Sequence, residues 1–345
     1  MTPLVAILGA GASRGSGEYR SSLVPIAEER LVPPLTVDLF DEKRYREVLS
    51  QYDLAHQAGR LLNEQMGQDE ALGLEHALHG LKASAFPHHK HMAVAVPPYL
   101  QELLHQVSED RYTQAVHYDR LIEQLLRLEC VFFVSLNYDV LLDRRLDGHH
   151  QLWELEDYLG TDRNWSLIKP HGSINWSHLT TTAYVSATPP IDLSVDRSTF
   201  FFERPTASLQ QLRPAAEPSA LTTRFYPALA MPEGPDDTLV LPGEHRKFFL
   251  DSITAARKID ILVIGYSGLD RQILDLIASA ECEIRHMTIV NQDQATAEDV
   301  FGRFEAAGLN SIWRIVADTD FATWSNDGGL NLLVEEYDGP YSRSI

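Results

Sequence analysis

The stretch Leu4-Val5-Ala6-Ile7-Leu8-Gly9-Ala10-Gly11-Ala12-Ser13 decides the fold class of this 345-residue chain. It opens with an apolar, partly β-branched run that is too short for a helix and is typical of a buried central strand. Gly9 and Gly11 follow, where they let the backbone turn sharply and approach a pyrophosphate beside the amino terminus of a helix. Arg14 stands where the G-x-G-x-x-G pattern has its third glycine, so the stretch alone fits a bare turn as well as a phosphate loop.

The composition is that of a globular protein, with 44% hydrophobic and 23% charged residues. The formal net charge of -20 disfavours direct binding of nucleic acid, because such a surface repels phosphates. No run approaches the roughly 18 apolar residues of a membrane span, and the first residues lack the basic segment of a signal peptide. Cys130 and Cys282 are too few and too far apart for a disulfide framework or a four-cysteine zinc site. We therefore expect a cytoplasmic protein.

The apolar pattern predicts an α/β fold, a Rossmann-like parallel sheet with helices on both faces and an inserted helical module. That module is expected at 41–129, where apolar residues fall at helical spacing and Pro97-Pro98 separates two halves. Segment 176–240, rich in Ser, Thr and Pro, is predicted to be an irregular insertion within the dinucleotide-binding domain. That domain would comprise 1–40 and 130–345, with further strands at 130–135, 166–169, 260–264, 284–290 and 311–316.

Ligands of such sheets bind beyond the carboxyl ends of the strands, and polar residues follow several of the predicted strands. Asn137 and Asp139 come after the strand at 130–135, where an amide and a carboxylate would face the same crevice. The alternative there is an Asx turn. Pro170 and Gly172 present His171 from a constrained backbone, and a pKa of about 6.5 suits histidine to proton transfer. The alternative is a hydrogen-bonded core histidine.

Two later loops carry weaker signals. Gly265-Tyr266-Ser267-Gly268 follows a strand and precedes a helix, which makes a second anion-binding loop. Asn291 follows the strand at 284–290, where it would reach a ribose hydroxyl or an adenine edge, unless it is an ordinary loop residue. The histidines within 87–91 and at 149–150 have no further ligands beside them, so we expect no metal site there.

The order of these motifs along nearly the whole chain resembles the sirtuin family. The sequence shows G-A-G-x-S from Gly9, N-x-D from Asn137, H-G-S from His171, G-x-S from Gly265 and V-N ending at Asn291. The bacterial sirtuin-like branch found in antiphage defence is more similar still. It shares Pro33-Pro34-Leu35, Leu136-Asn137-Tyr138-Asp139 and Gly265-Tyr266-Ser267.

This resemblance implies that the chain binds NAD as a substrate, and it assigns roles to the residues of the motifs. Asn137 and Asp139 would face the nicotinamide ribose and carboxamide, and His171 would be the catalytic histidine. The remaining residues would contact the pyrophosphate and the adenosine, and these are Gly9, Ala10, Gly11, Ser13, Gly265, Ser267 and Asn291.

The chain also departs from the family's protein deacylases. Residues 172–264 lack the four cysteines of their zinc ribbon, so no zinc is expected, and Leu136 stands where they usually have Gln. The resemblance therefore favours an NAD glycohydrolase in which water replaces the acyl oxygen, giving nicotinamide and ADP-ribose. The alternatives are a protein deacylase or ADP-ribosyltransferase, a non-catalytic NAD or ADP-ribose sensor, and a structural subunit with a vestigial NAD site.

An unrestrained NAD hydrolase would poison its own cell, so a control on the activity is expected. The resemblance implies NAD depletion in abortive antiphage defence, switched on by assembly of a homo-oligomer or by a partner such as a HerA-type ATPase or a short argonaute. The module at 41–129 offers a surface for assembly, although apolar helix stripes are more often core. No contact with a membrane or with nucleic acid is expected.

Overall fold

The computed structural model describes residues 2–17, 32–68, 74–111, 115–180, 195–202, 224–230 and 239–338. Its strands are β1 (Leu4–Leu8), β2 (Val131–Ser135), β3 (Trp165–Ile168), β4 (Gly172–Thr180), β5 (Val195–Phe202), β6 (Arg224–Leu229), β7 (Lys258–Ile264), β8 (Glu283–Asn291) and β9 (Ser311–Asp318).

Helices connect and cover these strands. In the first half of the chain they are α1 (Ala10–Arg14), α2 (Arg46–Leu49), α3 (Asp53–Gln68), α4 (Leu74–Ala83), α5 (Pro87–Arg111), α6 (Val116–Leu125) and α7 (Leu141–Asp147). In the second half they are α8 (Gly243–Ala256), α9 (Arg271–Ala278), α10 (Gln294–Ala306), α11 (Phe321–Asn326) and α12 (Gly329–Asp338). None of the helices within the described residues is long and apolar enough to cross a membrane.

The main sheet has the strand order β3-β2-β1-β7-β8-β9, and all its neighbours are parallel. This is the Rossmann order, because the strands on one side of β1 (β2 and β3) all precede in sequence the strands on its other side (β7, β8 and β9). The predicted α/β fold class is therefore confirmed. The order reverses between β1 and β7, where Leu8 pairs with Ile264 at the carboxyl edge. Ligands of open α/β sheets bind at this topological switch point.

Helices cover both faces of the sheet, as predicted. Successive residues of β1 point to opposite faces, so Ala6 belongs to the core that includes α6, α7, α11 and α12, while Val5 belongs to the core that includes α8, α9 and α10. Both residues are fully buried. A strand enclosed on both sides has no reason to alternate polar and apolar residues, which explains the continuous apolar run at its position in the sequence.

The helical module has a core of its own. Side chains from α2, α3, α4 and α5 form it together with Ile174 of β4 and Leu229 of β6. Helix α6 also lies within the range 41–129, but its Leu121, Ile122 and Leu125 belong to the core on one face of the main sheet. The module thus rests against the small sheet, and α6 rests against the large one.

The prediction that Pro97-Pro98 separates two halves of the module is wrong, because both prolines lie inside α5. Pro98 has no N–H to donate to the carbonyl of Val94, four residues earlier. The hydroxyl of Tyr226 in β6 donates to that carbonyl instead, at 2.9 Å. The hydrogen bond that the helix lacks is therefore made with the small sheet.

The small sheet is antiparallel, with β4 between β5 and β6. β5 and β6 lie within segment 176–240, whereas β4 already begins at Gly172, before that segment. Residues 181–194, 203–223 and 231–238 of the segment lie outside the described residues. Because β4 starts directly after His171, the small sheet fixes the carboxyl side of that histidine.

Candidate functional site

The two glycine loops meet at the switch point. The amide of Gly11 donates to the carbonyl of Gly265 at 3.0 Å, and Gly265 has a positive φ of 59°. A Cβ atom on Gly9 would lie 2.5 Å from the Gly265 oxygen, and one on Gly11 would lie 2.8 Å from its Cα. A Cβ on Gly265 would overlap the amide nitrogen of Ala12.

These glycines are therefore required by the packing of one loop against the other, in addition to any ligand. The sequence pattern identified both loops but could not show that they form a single surface. Ala10 is partly exposed there, at the first helical position, where an amide has no partner within the helix. Ser267 is exposed on the β7 side, and its carbonyl accepts a hydrogen bond from the guanidinium of Arg303.

Ser13 and Asn137 join the first glycine loop to the segment that follows β2. The Asn137 side-chain amide donates to the Gly9 carbonyl and to the Ser13 hydroxyl, each at 2.9 Å. The Ser13 hydroxyl also hydrogen-bonds to Tyr118 of α6 at 2.9 Å. Ser13 and Asn137 are 2% and 7% exposed. Asn137 is therefore held by the loop itself, at the carboxyl ends of β1 and β2.

Asp139 is buried and hydrogen-bonded to Ser13. Its Oδ1 accepts from the Leu141 amide at 3.0 Å, which is the Asx turn that the sequence offered as an alternative. Burial raises the pKa of Asp139 above its usual range, although the nearby Lys169 ammonium and a hydrogen bond with Ser13 work in the opposite direction. The carboxyl group thus connects Ser13 to the start of α7.

Lys169 forms a buried network that the sequence analysis missed. Its ammonium donates to the Asp139 carbonyl at 2.6 Å, to Asp143 at 2.9 Å and to the Ser173 hydroxyl at 2.8 Å. The Tyr158 hydroxyl donates to the same Asp143 carboxylate at 2.8 Å. A lysine at the end of an apolar run was the available signal, because a buried cation needs an anionic partner.

His171 lies between the two sides of the switch point. Its Nδ1 donates to the Leu136 carbonyl, which follows β2, at 3.1 Å. Its Nε2 pairs with the carboxylate of Asp270, which follows β7. The ring therefore bridges segments that come from opposite halves of the sheet.

Asp270 was not among the site residues predicted from the sequence. This residue is the N-cap of α9, and its Oδ1 accepts from the amides of Gln272 and Ile273 at 2.9 and 3.4 Å. Burial acts to raise the pKa of Asp270, but His171 and the capping amides outweigh it and leave the pKa below its usual value. An aspartate just before an apolar helical pattern predicts a cap, and only the fold shows its second contact.

Asn291 lies on the far side of the second glycine loop. It comes one residue after Val290, whose carbonyl accepts from the Gly265 amide at 3.2 Å. The Asn291 side-chain oxygen accepts from the next amide in the chain, that of Gln292, at 2.9 Å. The described residues thus bring Gly9, Ser13, Asn137 and Asp139 into one network. They place Asn291 beside Gly265 instead.

No group of three or more His, Cys, Asp or Glu side chains among the described residues is arranged to hold a metal ion. The histidines of the module have other contacts. His88 bonds to Gln57 and His89 to Ser84, each at 2.9 Å.

No family model matches the chain, and neither does any curated protein. Solved structures of Sir2 are similar at low identity. One is a crystal structure of Sir2 in complex with an inhibitor, 2'-O-acetyl-ADP-ribose and a deacetylated p53 peptide. It is 10% identical to this chain, and the match covers 96% of this chain and 94% of that one, with a TM-score of 0.39. Another is a Sir2 mutant with a p53 peptide and NAD, with 12% identity, coverage of 97% and 93%, and a TM-score of 0.34. Likenesses at these scores assign no function to the chain.

Proposed function

We propose that this chain binds NAD at the boundary of β1 and β7 and hydrolyses its nicotinamide–ribose bond. The observation that carries the proposal is that Asn137 and Asp139 contact the first glycine loop while His171 contacts Asp270, which follows the second. Asn137 hydrogen-bonds to the Gly9 carbonyl, and His171 reaches Asp270 just beyond Gly265. The amide of Asn137, the carboxyl of Asp139 and the imidazole of His171 thus lie near a glycine loop of the kind that binds phosphates. This is the switch point, where ligands of open α/β sheets bind.

The reaction breaks the bond between the ribose C1' and the nicotinamide nitrogen, and the electron pair leaves with nicotinamide. Positive charge develops on the sugar, so the site must hold the ribose in a reactive position and stabilise that charge. In this proposal Asn137 positions the ribose or the attacking water, and Asp139 orients the carboxamide. His171 accepts the proton from water or a ribose hydroxyl, and ADP-ribose is the second product.

The rest of the dinucleotide would lie over the joined loops. The pyrophosphate would contact Gly9, Ala10 and Gly11, and the adenosine would extend past Gly265 and Ser267 to Asn291. Ser13 would support this surface through its hydrogen bond with Asn137. The Arg303 guanidinium beside Ser267 adds a positive charge near the second glycine loop, which favours a dinucleotide whose pyrophosphate is anionic.

The biological role that we propose is NAD depletion in abortive antiphage defence within the cytoplasm. A homo-oligomer, or a partner such as a HerA-type ATPase or a short argonaute, would control the activity. This part of the proposal is supported by the motif resemblance of the sequence.

The test is to incubate the purified protein with NAD, with and without the product of the neighbouring gene, and to measure nicotinamide and ADP-ribose by chromatography. His171→Ala and Asn137→Ala should each lower the rate on the order of a hundredfold. His88→Ala, at an exposed position of the module, is the matched control.

Each other outcome has a distinct meaning. If both site variants hydrolyse NAD at the parent rate, the site is wrong. Transfer of label from NAD onto a protein would favour a transferase, and NAD binding without turnover in any mixture would favour a sensor.

A further inference from the structure

Each ring nitrogen of His171 faces a group that only accepts hydrogen bonds. Nδ1 faces the Leu136 carbonyl at 3.1 Å, and Nε2 faces the Asp270 carboxylate. With Asp270 ionised, each contact uses an N–H of the ring, which favours an imidazole that is protonated at both nitrogens. The side chains of His171 and Asp270 are 9% and 17% exposed, so solvent screens their attraction only weakly.

The Asp270 carboxylate is itself held in place. Its Oδ1 accepts from two amides in the first turn of α9, and this leaves Oδ2 directed at His171. Because Asp270 follows β7 and Leu136 follows β2, the ring is fixed from both sides of the switch point.

Two other polar residues near the ring, among those that the structure describes, have contacts of their own. The Tyr138 ring packs 6.0 Å from the imidazole between centroids, and its hydroxyl lies 3.4 Å from the Ala230 carbonyl. Lys169 precedes His171 by two residues, but its ammonium is bonded to Asp143 and Ser173. Within the described residues, Asp270 thus makes a direct contact with the ring through its charged group.

We propose that Asp270 is the positioning residue of this site, which fixes the His171 ring across the switch point and keeps Nε2 protonated until substrate replaces the carboxylate there. This inference rests on the proposed function. Since the Leu136 carbonyl holds Nδ1, Nε2 is the atom that must face the reacting hydroxyl or water. As that group enters, the proton on Nε2 leaves to solvent by way of Asp270, and the neutral ring can then accept a proton from the entering hydroxyl or water. The proton lost in this way is the one proton that NAD hydrolysis releases, and the ring is protonated again at the end of the step.

Substitutions at Asp270 can distinguish the effect of losing the helix cap from the effect of losing the contact with His171. Asp270→Ser keeps an oxygen that caps α9, but its side chain is too short to reach the ring. Asp270→Asn keeps the length and the cap and removes the charge. Asp320→Ser is the matched control, because Asp320 caps α11 through its contact with the Thr323 amide.

The first measurement does not depend on activity. Histidine resonances of the protein are titrated by NMR, and His171 is assigned by its absence in His171→Gln. The titration midpoint of His171 in the wild type is the reference for the variants. It should fall by about one unit or more in both Asp270 variants and stay unchanged in Asp320→Ser. A midpoint that neither Asp270 variant moves would overturn the proposal.

The second measurement is the pH dependence of nicotinamide release. In Asp270→Ser the acid limb should move to lower pH, and the plateau should fall roughly tenfold to a hundredfold because the ring is less well placed. A purely structural role would lower the plateau and leave the limb in place, which would contradict the proposal. If the wild type releases no nicotinamide, the proposed function fails, and the NMR titration still decides the role of Asp270.

Discussion

The Lys169 ammonium lies 2.9 Å from Oδ2 of Asp143, and neither side chain is exposed to solvent. Lys169 directly follows β3 and precedes His171 by two residues, whereas Asp143 lies in the first turn of α7, just after Asp139. Because the same ammonium also donates to the Asp139 carbonyl, the ion pair fastens the two segments that carry the proposed catalytic residues.

Lys169→Met should destabilise the protein by about 3–5 kcal/mol, because it leaves the Asp143 carboxylate buried without a counter-charge. The free energy of unfolding in urea, followed by circular dichroism, measures this loss. Lys247→Met is the matched control, since Lys247 pairs with Asp251 on the surface and its side chain is 79% exposed. A similar loss in both variants would contradict the assigned role of the buried pair.

Gly265→Ala should be destabilising by more than about 2 kcal/mol, because its positive φ alone costs a side-chain-bearing residue about 1–2 kcal/mol. The new Cβ would also overlap the Ala12 amide, so the joined loops must separate. NAD affinity, measured by calorimetry on the folded fraction, should fall together with stability. Gly302→Ala is the control, because a Cβ there meets no atom within 4 Å and alanine favours the α10 helix. If Gly265→Ala is as stable as the parent and binds NAD as tightly, the two loops are not as closely packed as we infer.

Ser13→Ala should lower the rate of nicotinamide release roughly tenfold or more, because Asn137 loses a hydrogen bond that orients its amide. Tyr118→Phe removes the neighbouring hydroxyl and leaves the contact of Ser13 with Asn137 in place. It should therefore cost about 1 kcal/mol of stability and have the smaller effect on the rate. Steady-state rates and urea unfolding of the two variants check this order, and a larger rate loss in Tyr118→Phe would contradict it.

His245 makes the stability of the fold depend on pH. Burial lowers the pKa of His245 to about 4, although its hydrogen bond to the Leu155 carbonyl acts in the opposite direction. The unfolded chain binds this proton at about pH 6.5, so the folded state loses stability as pH falls from there towards 4.

Between pH 7.5 and pH 5, this residue should account for a loss of about 2 kcal/mol in the free energy of unfolding. His245→Gln keeps a donor for Leu155 and removes the titration, so its unfolding free energy should fall by that much less over the same range. Parallel urea titrations at both pH values test the difference, and equal losses in the two proteins would rule out His245 as the source.

The main sheet could be predicted because its signals are local. Each parallel strand is a short apolar run, and β1 leads directly into the glycines that mark its carboxyl end. The prediction failed at Pro97-Pro98, where a local rule for helix breaking was overridden by a tertiary contact between Val94 and Tyr226. Nothing within one element indicates that contact.

In the candidate site, too, the features with local signals could be predicted and the tertiary contacts could not. Asn137, His171 and Gly265 each follow a predicted strand, so their place at one edge of the sheet follows from topology. The contacts of His171 with Asp270 and of Lys169 with Asp143 join residues that are distant in sequence, and each partner has an ordinary local role as a cap or a helical residue. Only packing brings the partners together, which is why sequence reasoning assigned Asp270 and Lys169 no role.

The shared space of Gly9, Gly11 and Gly265 has an evolutionary consequence. The residues that form contacts in most protein cores can change during evolution, because a larger residue on one side is compensated by a smaller one on the other. Glycine is already the smallest residue, so no substitution at one of these positions can make room for a side chain at another. We expect these positions to be among the last to change in natural variants, even in those that have lost the chemistry of the crevice, because they hold the two halves of the sheet together.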